Sequence, residues 1–408
     1  MYEKTRLANG ARVITETIPS VRSIAVGIWV HTGSRDEEPS VAGISHLIEH
    51  MVFKGTARRR THQIARRLES VGGFLNAFTS KEHTCYYARA LDSHLARAID
   101  TVCDLVLDPV FPPKELVKEK AVILEEMKMY EDSPEDVIFE HFESIVYPDH
   151  AFGRPVIGFQ DTVSALSRDD LLGYMDQRYT PNRMVLAVAG NVRHNDAVRL
   201  AERSFHAPGR IPRNGERHAV GGYQPGESVQ SRPIQQAHLI VGRRGIDVHS
   251  PWRTPMTVLN TILGGGMSSR LNQNIREKYG YCYNIYSFVN MYSDTGDTGV
   301  YIGTDASHTD HGRKLIMREF DRLVQKPVSA RTLTQAKNQV KGQLMLGLES
   351  MSNRMMRIAQ QELLFGRYIT LDEVLDDLDS VTVEDIQSTA QFLYDAGEYS
   401  SVVLLPQT

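Results

Sequence analysis

The sequence predicts an α+β protein built from two homologous α/β sandwich domains, each with helices packed on a mainly antiparallel sheet. Three observations predict it. Length is the first: 408 residues exceed one ordinary core and suggest two domains of about 200 residues each. Internal repetition is the second. SIAVGIWV (23–30) resembles AHLIVGRR from Ala237, with Gly27 opposite Gly242, and LSRDDLLGYMDQRY from Leu166 resembles VTVEDIQSTAQFLY from Val381. Both matches are separated by 215 residues (242 − 27 and 381 − 166), which points to a duplicated unit. The third is the grouping of strand-like runs and long helical patterns within each half.

Taken in order, SIAVGIWV is a short apolar run rich in β-branched residues and reads as a buried strand. PSVAGISHLIEHMVF (39–53) reads as a helix with Ser40 as its N-cap. PKELVKEKAVILEEMKMYED (113–132) is a helix with Pro113 near its start, and RMVLAVAGNV (183–192) is a strand. The acidic stretch 131–143 reads as a solvated helix start. HAPGRIPRNGERHAVGGYQPGES (206–228) is rich in Gly, Pro and charge and reads as the connection between halves. The expected division is therefore 1–208, a linker at 209–228, and 229–408.

Hydrophobic residues make up 41% and charged residues 24%, the balance of a soluble globular protein. A net charge of −4 carries no nucleic-acid footprint, and the basic run 54–67 reads as a solvated helix face. Cys85, Cys103 and Cys282 are odd in number and dispersed, which argues against a disulfide framework and for a reducing compartment. The start lacks a secretory pattern, and no apolar run approaches the roughly 18 residues of a membrane span. A bacterial cytoplasm is expected, with an organelle matrix as the alternative, and neither a membrane nor a nucleic acid as partner.

The segment HLIEH (46–50) carries the chemistry. At about 100° per residue on a helix, His50 lies about 40° from His46 and Glu49 about 60° to the other side. Imidazoles one turn apart can hold one zinc ion, and the glutamate then faces water whose pKa zinc lowers toward 7. The bland alternative is two structural histidines and a surface glutamate. Ile44, Leu47, Ile48, Met51 and Val52 leave little polar face for it, and an unpaired buried carboxylate costs several kcal/mol. A catalytic zinc also needs a third protein ligand and an open position. Glu119 and Glu126 are seven residues apart and share a face of the 113–132 helix, with Val122 and Ile123 between them. By themselves they read as part of a solvated face. Shifted by 215, His46, Glu49 and His50 fall on Thr261, Gly264 and Gly265, so the second half lacks this cluster.

With these motifs the chain resembles the pitrilysin or insulinase family of zinc metallopeptidases, the inverzincins, whose motif is H-x-x-E-H. Within it, the chain looks most like the mitochondrial processing peptidase group and its bacterial relatives. The resemblance implies Glu126 as third ligand, 76 residues beyond His50 (126 − 50), with Glu125 as the fallback and Glu119 as a carboxylate that orients a ligand. It implies that GGFLNAFTSKEHTCYY (72–87) holds an edge strand, with Asn76, Ala77, Phe78 and Thr79 pairing with extended substrate; His83 is left structural. In SSRLNQNIREKYGYCYNIYSF (268–288) it gives Arg276 and Tyr283 the role of steadying the oxyanion. The implied activity is that of a zinc endopeptidase with one zinc per chain, Glu49 as general base, and a homodimer enclosing peptides or unfolded segments. Two alternatives share the fold: a non-catalytic structural core subunit, and a peptide-binding partner of another peptidase.

Overall fold

A computed structural model describes residues 1–205, 217–395 and 397–407. Residues 209–216 of the expected linker lie outside the described residues. The N-terminal half runs β1 (Tyr2–Arg6), β2 (Arg12–Thr17), β3 (Ser23–Val30), α1 (Ile44–Val52), α2 (Thr61–Glu69), β4 (Phe74–Thr79) and β5 (Thr84–Leu91). It continues through α3 (Leu95–Leu107), α4 (Pro113–Glu131), α5 (Pro134–Val146), α6 (Gln160–Ala165), α7 (Arg168–Arg178), β6 (Met184–Gly190) and α8 (His194–Ser204). The C-terminal half runs β7 (Glu227–Arg232), β8 (Ala237–Arg244), α9 (Arg253–Gly264), β9 (Cys282–Met291) and β10 (Gly296–Thr304). Then come α10 (Thr309–Gln325), α11 (Ala330–Gly347), α12 (Met351–Phe365), α13 (Leu371–Ser380), α14 (Val383–Tyr394) and β11 (Ser400–Pro406).

The duplication is visible in the topology. One sheet has the order β1-β2-β6-β3-β5-β4 and the other β7-β11-β8-β10-β9. Shifted by 215 residues, β2 falls on β7, and β3 and β6 fall within one residue of β8 and β11. The pairings repeat as well: β2 with β6 and β7 with β11 are parallel, while the remaining neighbours are antiparallel. Among the described residues, β1 has no counterpart in the second sheet. The central strand β6 is apolar and buried along its whole length, without alternation, because helices cover both faces of the sheet.

The compact units cut across the continuous halves read from the sequence. The first contains Met1–Lys128, Arg154–Arg217 and Gly347–Tyr368; the second contains Met129–Gly153, His218–Leu346 and Ile369–Thr408. Each half thus contributes one helix to the other half's unit. α12 packs on β2, β3 and β6, and its counterpart α5 packs on β8 and β11. The acidic start of α5 therefore leads into a core helix, with Val137, Ile138 and Phe142 buried. The two aligned glycines both face the exchanged helices. A Cβ on Gly27 would lie 2.8 Å from Sδ of Met355 on α12, and one on Gly242 would lie 2.7 Å from the Phe142 ring on α5. At Gly242 the Thr298 carbonyl of β10 would lie closer still, at 2.4 Å, so strand pairing as well as the helix excludes a side chain there, whereas at Gly27 the nearest atoms are the flexible end of Met355.

In the first unit, one sheet face packs on α1, α3 and α8, and the other on α12 through Ile14, Trp29, Val185 and Ala187. Polar contacts fix α12 as well. The buried Glu362 carboxylate accepts from Lys4 at 2.6 Å and Arg12 at 3.1 Å, and Arg354 pairs with Glu16 at 2.7 Å. Among the described residues, no helix is long and apolar enough to cross a membrane.

Two predictions concern stability. Glu362→Ala leaves two cations without their carboxylate, and urea denaturation should show a loss on the order of 2–3 kcal/mol. That is less than for a fully enclosed pair, because both cations reach solvent. The second concerns acid. Burial holds the imidazoles of His31 and His83 down to a pKa of about 4, against an unfolded value near 6.5. Between these values the unfolded chain binds more protons, so their contribution is complete above pH 6.5 and is lost as pH falls toward 4. The His83 ring packs against Trp29 at a 40° tilt with centroids 4.9 Å apart, a contact that phenylalanine can retain. His83→Phe should therefore lose less stability than wild type between pH 7.5 and 5.

Candidate metal centre

Helix α1 starts later than the sequence reading places it. Ser40 lies in a short 3-10 turn (Pro39–Val41), and the N-cap is Gly43, whose φ of +94° suits glycine. A Cβ at Gly43 would also lie 2.6 Å from the carbonyl of Ile157. Gly43 offers no side chain to the free N–H groups of the first turn. The buried Glu37 carboxylate accepts from two of them instead, Gly43 N at 2.7 Å and Ser45 N at 2.8 Å. Burial raises the Glu37 carboxyl to about 7, against the pull of those two bonds.

α1 buries Ile44, Leu47, Ile48, Met51 and Val52. His46, Glu49 and His50 occupy its remaining face, where α4 brings Glu119 and Glu126. Nε2 of His46 is 3.9 Å and Nε2 of His50 is 3.7 Å from Oε2 of Glu126. One ligand atom from each of these three residues lies within 4.8 Å of the others. Donors about 2 Å from one ion at tetrahedral angles stand about 3.3 Å apart, so this set fits a metal with small closing movements. The other nitrogen of His50, Nδ1, is 3.3 Å from Oε2 of Glu119, whose second oxygen accepts from Lys54 at 2.8 Å. That contact orients the His50 ring with Nε2 toward Glu126. Burial, reinforced by His50, lowers the His46 pKa to about 4, so at neutral pH His46 is in the neutral form a metal ligand requires. Glu125 stands apart: its side chain is 72% exposed and pairs with Lys128 at 2.7 Å.

Glu49 is directed at the sheet. Its Oε2 accepts from the Thr79 hydroxyl at 2.7 Å. Burial pushes its carboxyl above the ordinary value, Thr79 and His50 pull it back, and Glu126 adds to the rise. Thr79 ends β4, the terminal strand of its sheet, which among the described residues pairs with β5 alone. Asn76 is exposed on this strand, and Ala77, Phe78 and Thr79 are half-buried. Arg276 and Tyr283 belong to the second unit. Arg276 sits in a π-helical turn (Asn272–Glu277), with its guanidinium 5.9 Å from the centroid of the Tyr283 ring at the start of β9. Tyr283 is 82% exposed. At the counterpart of Glu49 in the second half, a Cβ on Gly264 would lie 2.2 Å from Ser287 N, so close packing against β9 leaves no room for a side chain.

The sequence reading did not anticipate three partners of this site: Lys54 on Glu119, Thr79 as donor to Glu49, and Glu37 at the helix N-terminus. Lys54 lies one turn beyond His50, a spacing that could have suggested it. Glu37 leaves no such signal, because its bonds depend on how the chain folds back.

Comparison with known proteins agrees with this architecture. Residues 12–159 match the model of the insulinase peptidase family M16, and residues 165–340 match the M16 inactive domain. The uncharacterized zinc protease YmxG of Bacillus subtilis is 38% identical over 413 residues, covering 100% of this chain and 98% of its own. An uncharacterized zinc protease of Streptomyces coelicolor is 40% identical over 399 residues, covering 95% and 86%. The chain belongs to peptidase family M16, the insulinase or pitrilysin family. Two solved structures share the fold. A peptidase M16 inactive domain from Pseudomonas fluorescens superposes with a TM-score of 0.93 at 19% identity, covering 100% of this chain and 98% of its own. A protease from Helicobacter pylori reaches 0.90 at 21% identity, covering 100% and 99%.

The geometry separates neighbouring glutamates. Glu126→Gln should strip bound metal on dialysis, whereas Glu125→Gln should retain it at the wild-type level. Glu119→Gln should weaken metal affinity by roughly 10–100-fold. Elemental analysis and competition with a chelator read all three.

Proposed function

We propose that the chain is a zinc endopeptidase that cuts peptides or unfolded segments bound as an added strand, with one zinc per chain on His46, His50 and Glu126. The observation that carries this reading is the convergence of those three residues on one side of α1 while Thr79, at the end of an open sheet edge, holds Glu49 beside them. When bound, zinc supplies Lewis acidity, lowering the pKa of water toward 7 and polarising the scissile carbonyl.

The chain's own residues do the rest. Glu49 takes the proton of the attacking water and returns it to the leaving amine. The Thr79 hydroxyl fixes the carboxylate's orientation. β4 offers main-chain hydrogen bonds to an extended peptide over Asn76–Thr79, a recognition mode with little sequence demand. Arg276 and Tyr283 are assigned to the negative charge that develops on the carbonyl oxygen, a role for a cation and a hydroxyl donor. Because the zinc residues and this pair occur in one chain, two identical chains can supply a complete chamber. The reading includes that homodimer and a cytoplasmic setting, and an active, strictly monomeric protein would overturn the dimer.

The test uses wild type and Glu49→Gln, with bound zinc quantified and an internally quenched unstructured peptide assayed with and without chelator. Both proteins should carry about one zinc. The variant should lose about 10²–10⁴-fold in rate, and chelator should abolish wild-type cleavage. Equal cleavage by the two proteins would sink the peptidase reading. Zinc-loaded wild type that cuts nothing would favour the peptide-binding or structural alternative.

A further inference from the structure

We propose that Glu37 is a positioning residue: by clamping the N-terminus of α1 it sets where Glu49 and the two histidines stand relative to Glu126. The inference rests on the reading of His46, His50 and Glu126 as the metal ligands. Glu37 touches none of them.

α1 has only nine residues, with neither a capping side chain nor an acidic residue in its first turn. Helix N-termini carry N–H groups that need partners. Both oxygens of Glu37 serve that need, one for Gly43 and one for Ser45. Ser45 directly precedes His46, and Glu49 follows one turn later. On so short an element, a shift of the first turn is carried to every side chain of the site.

Glu37 is itself fixed from both sides. Its carbonyl accepts from Nη2 of Arg154 at 2.6 Å. Its neighbour Asp36 accepts from Arg217 through Nε at 3.2 Å and Nη2 at 3.0 Å. Arg217 also donates to the Glu82 carboxylate at 3.1 Å and the Glu82 carbonyl at 2.7 Å. Glu82 lies in the turn between β4 and β5, three residues beyond Thr79. In the same turn Lys81 donates to the Arg154 carbonyl at 2.8 Å. One buried polar core thus anchors both the helix bearing Glu49 and the hairpin whose Thr79 grips Glu49. Through it, the glutamate is registered at both ends.

The experiment uses the full-length, zinc-loaded protein. Glu37→Gln keeps one acceptor oxygen and presents an amide NH2 to the other backbone N–H, so it removes one of the two clamps with little change of volume. Three quantities are read: zinc release to a chelator, kcat and KM on the quenched peptide, and the exchange rates of the Gly43 and Ser45 amides. With wild-type secondary structure by circular dichroism, the variant should release zinc several-fold faster. Its kcat should fall on the order of 10-fold or more while KM stays within about twofold, since displaced catalytic groups cost rate rather than binding. The two amides should lose protection. Arg154→Met, which leaves the carboxylate and removes the donor to the Glu37 carbonyl, should show the same pattern more weakly.

A folded Glu37→Gln with unchanged zinc release and kcat would overturn the proposal. If neither variant folds, wild-type exchange decides: slow Gly43 and Ser45 amides support the clamp, and amides as fast as an unstructured peptide's refute it. If wild type holds zinc but cuts nothing, the peptidase reading fails separately, and zinc release with amide exchange still judges Glu37.

Discussion

The structure around the site answers to one constraint: a nine-residue helix buries an apolar face while holding three ionisable side chains in partly desolvated surroundings. Unpaired, those groups would cost several kcal/mol each. Both histidines therefore face carboxylates of α4, Glu49 meets Thr79 of β4, and Lys54, from the turn after α1, balances Glu119. The carboxylates of Glu49, Glu119 and Glu126 gather around two imidazoles and the Lys54 ammonium, an arrangement whose charge a divalent cation would balance. Packing and chemistry are the same problem here, because the contacts that satisfy the buried groups also aim them.

The duplication shows what separates scaffold from site. Both sheets repeat one strand order, and both carry a glycine where the covering helix lies on the central strands. At the counterpart of Glu49, Gly264 lets the helix lie against β9. Recovering a carboxylate there would require the helix to move away from the sheet, so the second copy serves packing where the first serves chemistry.

Much of this was legible in the sequence, for a physical reason in each case. Strands 23–30 and 237–244 are short runs with apolar, β-branched centres, and they appear with those bounds. The 113–131 helix has a proline at its first position and a long uninterrupted pattern. Other features depend on tertiary folding. Spacing alone could not choose Glu126 over Glu125, which differ by about 100° around the helix; that choice came from the family resemblance. Ser40 has the chemistry of a cap but sits in the wrong turn, while the group that caps α1 lies several residues upstream and reaches it only because the chain doubles back. A helical period also states that a helix has an apolar face, without saying which sheet that face meets. The exchange of α5 and α12 was therefore beyond it.

That exchange bears on how the chain is made. The sheet face formed by Ile14, Trp29, Val185 and Ala187 is complete once β6 has been synthesised, yet its cover, Met355, Ile358 and Ala359, comes about 170 residues later (355 − 185). At roughly 5–20 residues per second, that apolar face waits on the order of ten to thirty seconds on the ribosome for its helix. The first unit cannot close as a vectorially folding domain. The nascent chain must keep a tryptophan-bearing sheet surface from sticking elsewhere until its C-terminal half arrives.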